Sequence, residues 1–294
     1  MTTVKANPLD LNIGFIGLGD QGGPMAHAIG EAGFRLHVWA RRPQSLQAVD
    51  GIAHTVHESV AALASACDVV ALCLRDDSDV LDILERGGLL AALRADTIVV
   101  NHGTGDPQQN SRIAEDLRTL DIFYLDAPVS GGRPGAVART LTTMAGGERS
   151  AFEQCKPVFQ AFSSVSAYMG PAGSGQTAKL QNNALTMSNL KNAVDVFDLA
   201  QKLGMDVAAL FDVVGLSSGS SFILKSLGRA ITPEIAPHLQ GLMRKDIEHF
   251  ADAIRRKGID VDELRERGLG GANGLVPLVG LLAGAQGARG AADA

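Results

Sequence analysis

At 294 residues the chain is longer than one hydrophobic core usually serves, so two domains are expected. A composition of 46% hydrophobic and 20% charged residues is that of a globular protein, and a net charge of −6 excludes a general nucleic-acid-binding surface. Cys67, Cys73 and Cys155 form no C-x-x-C pair and are odd in number, which argues for reduced thiols and a cytoplasmic setting. No signal segment is read, and the apolar tracts Val69–Leu74 and Val276–Ala285 are too short to cross a bilayer, so no membrane partner is expected.

In chain order, strands are expected at Asn12–Ile16, Arg35–Ala40, Asp68–Leu74, Thr97–Asn101 and Ile122–Ala127. Helical spacing falls between them, at Gly22–Glu31, Ser59–Ser65, Val80–Glu85 and Pro107–Leu120. Such alternation predicts βαβ units and a parallel sheet covered on both faces. Edge strands at Thr140–Ala145 and Ser164–Tyr168 flank a helix around Ser150–Ala161. After Gly170-Pro171-Ala172-Gly173 the strands stop, and Gln176–Leu203, Ala208–Val214 and Gly241–Lys257 read as helices closed by Gly204 and Gly258. The expected fold is α/β: a Rossmann-type doubly wound sheet over residues 10–172, followed by an all-helical domain over 173–294.

Gly17-Leu18-Gly19-Asp20-Gln21-Gly22 matches G-x-G-x-x-G between the first strand and the first helix, the context that makes this short pattern a dinucleotide signature. The glycines allow a tight turn and close approach of a pyrophosphate, and the helix N-terminus supplies N–H groups. An acidic side chain usually ends the second strand in NAD sites; here Arg41 and Arg42 stand there instead. Two guanidinium groups suit a 2′-phosphate, which favours NADP, with NAD as the alternative. The competing reading leaves Arg42 solvated and stacks Arg41 on adenine in either cofactor.

Gly173–Asn183 reads as a turn entering a long helix, with Lys179 and Asn183 one turn apart on one face. A lysine sunk in such a face tends to lose its proton and can then accept one from a substrate hydroxyl. The plainer alternative is a lysine reaching to water. His54-x-x-His57 lies in a polar stretch without further ligand spacing, so no metal site is expected.

Across nearly its whole length the chain resembles the β-hydroxyacid dehydrogenase family, which includes 3-hydroxyisobutyrate dehydrogenases and semialdehyde reductases. The resemblance rests on Ile13–Met25, on Asp126-Ala127-Pro128-Val129-Ser130-Gly131-Gly132 continued by Leu141–Gly147, on Gly173–Asn183, and on Lys245-Asp246. It implies that Lys179 is the acid/base and that Asn183 orients the substrate. By the same resemblance Ser130, Gly131 and Gly132 bind a substrate carboxylate, where on its own Ser130 reads equally as a turn residue. Cofactor contacts are implied for Gly17, Leu18, Gly19, Gln21, Gly22, Arg41, Arg42, Leu74, Arg75, Thr104 and Lys245. Thr104 is implied near the nicotinamide, though it could simply cap a helix, and Lys245 could be an ordinary exposed lysine.

Arg75 replaces a family proline, Arg139 stands where a glycine is usual, and the stretch from Asp246 to Gly268 reads as short by roughly one helix of ordinary length. The resemblance implies hydride transfer between NAD(P) and a small β-hydroxyacid or its semialdehyde. The rivals are an imine reductase-like enzyme and a non-catalytic NADP-binding protein. A helix as long as Gln176–Leu203 suggests a homodimer, with a tetramer as the alternative.

Overall fold

The computed structural model describes residues 8–292. In the first half, strands and helices alternate as β1 (Asn12–Ile16), α1 (Gly22–Glu31), β2 (Arg35–Trp39), β3 (His54–Val56), α2 (Val60–Ala66) and β4 (Val69–Leu72). They continue as α3 (Asp77–Glu85), α4 (Leu89–Ala92), β5 (Ile98–Asn101), α5 (Pro107–Arg118) and β6 (Phe123–Asp126). Then come β7 (Val129–Ser130), α6 (Gly132–Val137), β8 (Leu141–Gly147), α7 (Arg149–Phe159) and β9 (Ser163–Gly170).

The sheet runs β3-β2-β1-β4-β5-β6-β8-β7, with β9 also paired to β8. Its first six strands are parallel in the doubly wound order, and β6 meets β8 antiparallel. Strand alternation divides the core in two. Val69, Ala71, Ile98 and Val100 face one side with Met25, Ile29, Phe152 and Phe159. Val70, Leu72 and Val99 face the other with Leu63, Leu84, Ile113 and Leu117. A parallel sheet buried on both faces explains why these strands are continuous runs of β-branched residues.

The strand order, not the strand direction, reverses between β1 and β4, and this opens the crevice where such sheets receive ligands. Two strands escape the sequence pattern. β3 is only His54–Val56 and mostly polar because it is an edge, and β7 is two residues paired to β8. His57 is not merely solvated: its Nε2 lies 2.9 Å from His37 Nδ1, with the rings stacked. Burial, then the neighbouring imidazole, holds the His37 pKa low. No cluster of three or more His, Cys, Asp or Glu able to hold a metal occurs among the described residues. The three cysteines are free, and burial pushes the Cys67 and Cys73 thiols up to about 12.

The second half is helical: α8 (Ser174–Lys202), α9 (Val207–Leu216), α10 (Phe222–Ser226), α11 (Ala236–Arg255) and α12 (Asp262–Ala292). The chain divides into two compact units, Met1–Lys179 and Leu180–Ala294, so the division falls inside α8. The core of the second unit gathers Leu190, Phe197, Phe211, Leu224, Leu275 and Leu282, with a smaller group around Leu180, Met187, Ile247 and Phe250.

The stretch from Asp246 to Gly268 is helix, turn and helix: α11 runs on to Arg255 and α12 begins at Asp262. The apolar tract Val276–Ala285, expected to be too short for a bilayer, is part of a longer helix. Asp262–Gly287 has the length and apolar composition of a membrane span, with 44% of its most apolar window buried within the protein. A core helix meets the same measure, and Leu275, Leu278, Val279 and Leu282 lie in the core.

Candidate functional site

Gly17 follows β1 with φ +103°, and a Cβ there would lie 2.2 Å from the carbonyl oxygen of Cys73, just past β4, so only glycine lets the loop turn there. Gly19 is the opposite case. A Cβ built on it meets nothing within 4 Å, leaving an open cradle beside the backbone where α1 begins. Gln21 stands at the N-cap of α1, and Gly22 is its first residue. Exposed backbone in front of a helix N-terminus fits a dinucleotide pyrophosphate.

A cavity of about 450 Å³ continues from this loop, lined by Gly17, Leu18, Gly19, Arg41, Arg42, Leu74 and Arg75 among others. It thus brings together the glycine loop and both strand ends expected to hold the adenosine. Its arginines differ in charge balance. Arg75 pairs with Asp76 at 3.1 Å and Asp79 at 3.4 Å, and Arg86 with Asp82 at 3.4 Å. Arg41 and Arg42 are exposed and have no carboxylate partner among the described residues. Net positive charge is therefore concentrated at the end of β2, where a 2′-phosphate would lie.

Beyond β5, His102 is buried and stacked near Phe15, with Phe159 and Phe162 at its edge. Burial pushes its pKa down to about 4, so the ring is neutral at pH 7. Its Nδ1 lies 2.8 Å from the Ala127 carbonyl oxygen and carries the proton donated there. Thr104 follows, half-buried, in a loop that leads to Asp106, the N-cap of α5. The Asp106 carboxylate accepts from the Gln108 and Gln109 N–H groups, so the helix cap is Asp106 and not Thr104.

Asp126, the last residue of β6, is fully buried. Its Oδ1 accepts the Gly173 N–H at 2.7 Å and its Oδ2 the Gln176 N–H at 2.7 Å. Gly175 presses so close that an added Cβ would meet the Asp126 carbonyl oxygen at 2.2 Å. Together these contacts fix the first turn of α8, and Lys179, half-buried, is the sixth residue of that helix. The Gln176 side chain bonds in turn to both Gly103 and Gly105.

Ser130 ends β7 opposite Thr142 of β8, and Gly131 and Gly132 follow with φ of +128° and +59° at the start of α6. The next residue, Arg133, donates from Nη1 to the Asp20 carbonyl at 3.2 Å and so links this segment to the glycine loop. In the second unit, Asn183 donates from Nδ2 to Asp246 Oδ2 at 2.8 Å, and Lys245, half-buried, precedes that aspartate on α11.

The chain matches two family descriptions. Residues 12–170 match the NAD binding domain of 6-phosphogluconate dehydrogenase, and residues 173–265 match the NAD-binding domain of NADP-dependent 3-hydroxyisobutyrate dehydrogenase. It is 30% identical to 2-(hydroxymethyl)glutarate dehydrogenase of Eubacterium barkeri, over 74% of this chain and 72% of that one. It is 33% identical to 2-hydroxy-3-oxopropionate reductase of Escherichia coli K12, over 74% and 75%. Its fold is similar to that of Mycobacterium tuberculosis 3-hydroxyisobutyrate dehydrogenase solved with L-serine, at a TM-score of 0.77 and 27% identity, covering 88% of this chain and 91% of the other.

Proposed function

The chain belongs to the β-hydroxyacid dehydrogenase family, and from that premise we propose that it is an NADP-dependent enzyme interconverting a small β-hydroxyacid and its semialdehyde. The observation that carries this reading is that the nucleotide cradle, the Ser130–Gly132 segment and the clamped start of α8, one turn before Lys179, all belong to one compact unit. We take residues 10–172 as the nucleotide-binding domain and 173–294 as the substrate and dimerisation domain.

The nicotinamide ring, when bound, accepts or supplies the hydride. Lys179 takes the substrate hydroxyl proton at Nζ during oxidation and returns it to the alkoxide oxygen during reduction. Ser130 and the backbone N–H groups of Gly131 and Gly132 hold the substrate carboxylate. By the family resemblance we assign Asn183, bonded to Asp246, to the substrate and Lys245 to the cofactor. Gly17, Leu18, Gly19, Gln21 and Gly22 would hold the pyrophosphate, Leu74 and Arg75 the adenosine, and Thr104 the nicotinamide end. Arg41 and Arg42 would take the 2′-phosphate.

The test is a screen with NADP⁺ or NAD⁺ against L-serine, 3-hydroxyisobutyrate and 2-(hydroxymethyl)glutarate. The reverse direction is run with NADPH against 2-hydroxy-3-oxopropionate, succinic semialdehyde and a cyclic imine. Turnover in the hydroxyacid and semialdehyde arms is expected. Reduction of the imine alone, or tight cofactor binding without turnover, overturns the reading.

Replacing both Arg41 and Arg42 with alanine is expected to lower the preference for NADPH over NADH by about 10- to 100-fold, the value of one or two charge-assisted hydrogen bonds. Parallel Kd measurements for the two reduced cofactors check it, and an unchanged ratio rules out the 2′-phosphate assignment.

Leu185, Val196, Leu199 and Leu203 are exposed on α8 at a spacing that places them on one side of the helix. That stripe supports a homodimer formed through the helical domain. Light scattering on the purified chain distinguishes it from a monomer or tetramer.

A further inference from the structure

Gln176 is wholly buried at the start of α8, three residues before Lys179. Its backbone N–H and both polar side-chain atoms are bonded. The backbone N–H donates to Asp126 Oδ2 at 2.7 Å, side-chain Oε1 accepts the Gly105 N–H at 2.9 Å, and Nε2 donates to the Gly103 carbonyl at 2.8 Å. The amide orientation is unambiguous, because a backbone N–H can only donate and a carbonyl can only accept.

The two side-chain bonds grip the loop on either side of Thr104. That loop has little slack elsewhere. Gly103 also donates to Asn101 Oδ1 at 2.9 Å, and a Cβ on Gly105 would strike Asp77 Oδ1 at 2.0 Å. Asp106, one residue further on, donates its N–H to Asp77 Oδ2 at 2.6 Å. One side chain on α8 therefore sets the height of the Thr104 loop against the helix turn that bears Lys179.

We propose that Gln176 is a positioning residue that holds the Gly103–Thr104–Gly105 loop and the Lys179 turn in a single spacing, so that hydride transfer at a substrate carbon and proton transfer at the oxygen it bears are aligned together. This rests on the assignment of Lys179 as proton carrier and of Thr104 to the nicotinamide. Gln176 touches no reacting atom. Its effect is alignment, which reaction rates feel steeply while cofactor affinity, carried mainly by the adenosine end, does not.

Two variants test it. Gln176→Met keeps length and loses both side-chain hydrogen bonds. Gln176→Glu loses the donor to Gly103 when ionised and regains it as a carboxylic acid, whose O–H can donate while the other oxygen accepts from Gly105. In the cofactor-free protein, hydrogen exchange at the Gly105 amide is expected to speed up at least tenfold in Gln176→Met, with β1 and β4 amides unchanged. With the best hydroxyacid from the screen, kcat is expected to fall 30- to 100-fold while the NADPH Kd, read from nicotinamide fluorescence, stays within threefold. Gln176→Glu should lose kcat in alkaline buffer, where its carboxylate still accepts from Gly105 but cannot donate to Gly103, and recover towards wild type on acidification, relative to the wild-type pH profile.

Wild-type exchange at Gly105, or faster exchange with unchanged kcat, overturns the proposal. So does a parallel loss of kcat, affinity and exchange protection throughout the unit, which marks a purely structural role. Lys179→Ala run alongside separates the two readings. An inactive Lys179→Ala with a fully active Gln176→Met removes only the role of Gln176. An active Lys179→Ala removes the proton-carrier assignment and the alignment proposal built on it, whatever the exchange at Gly105.

Discussion

Lys179→Ala is expected to lower kcat by roughly 10²- to 10⁴-fold, the usual contribution of a positioned general acid/base. The NADPH Kd should change little, because the glycine cradle, Arg41 and Arg42 are untouched. Stability should also hold, since Lys179 is only half-buried and alanine is the better helix former. Loss confined to kcat would identify an interaction made in the transition state. Retained turnover would leave Lys179 as a solvated helix lysine and return the question of the proton carrier to the other polar groups of the site.

Asp126→Ala is expected to destabilise the first unit by about 2–4 kcal/mol, because the Gly173 and Gln176 N–H groups would be buried without an acceptor. Denaturant unfolding of both proteins checks this, and equal stability would show that the clamp contributes nothing. The difference should also depend on pH. Burial pushes the Asp126 carboxyl up to about 6, against the opposing pull of the backbone N–H groups of Gln176 and Gly173. A folded-state pKa above the ordinary carboxylate value means the folded chain binds this proton more readily than the unfolded one.

The proton-linked part of the Asp126 contribution is therefore complete below the ordinary carboxylate pKa and is lost as pH rises through about 6. Relative to the alanine variant, wild type should gain about 1 kcal/mol between pH 7 and pH 5. A constant difference across that interval would place the carboxyl's pKa outside it. Measuring the difference between two proteins cancels the acid sensitivity of other groups, such as Asp76, which the Ser78 hydroxyl helps hold down at about 2.

Much of the fold was legible because it rests on local pattern. Asn12–Ile16 and Gly22–Glu31 have the expected bounds, since a β-branched run meeting a glycine turn leaves little alternative. β3 and β7 were not, because two or three residues on an edge need no apolar alternation. α12 escaped for a different reason. Its many glycines are poor helix formers, yet they are tolerated inside a helix whose neighbours press against its backbone.

At the site, the glycine loop and the two arginines announce themselves by residue type and position. Asp126, Arg133 and Gln176 do not, because what each contributes depends on contacts across 50, 113 and 73 residues of sequence. The aspartate lay within a segment singled out for substrate binding, but nothing in that segment shows that its carboxylate receives the start of α8. Lys245 and Asp246 could be placed on one helix from spacing, whereas the bond from Asn183 to Asp246 could not.

The glycines of α12 also bear on how this protein can vary. A Cβ on Gly271 would sit 2.0 Å from the Met187 carbonyl oxygen, while Gly270 and Gly274 face Lys191 and Val194 of α8 in the same way. An insertion of one residue ahead of this row would turn it by about 100° and advance it by about 1.5 Å, bringing side chains such as Leu269 to the contact. By contrast Gly280 and Gly284 face open space. Within α12, length changes are therefore tolerated best at its far end, and the stretch beside α8 acts as a fixed ruler for the helical unit.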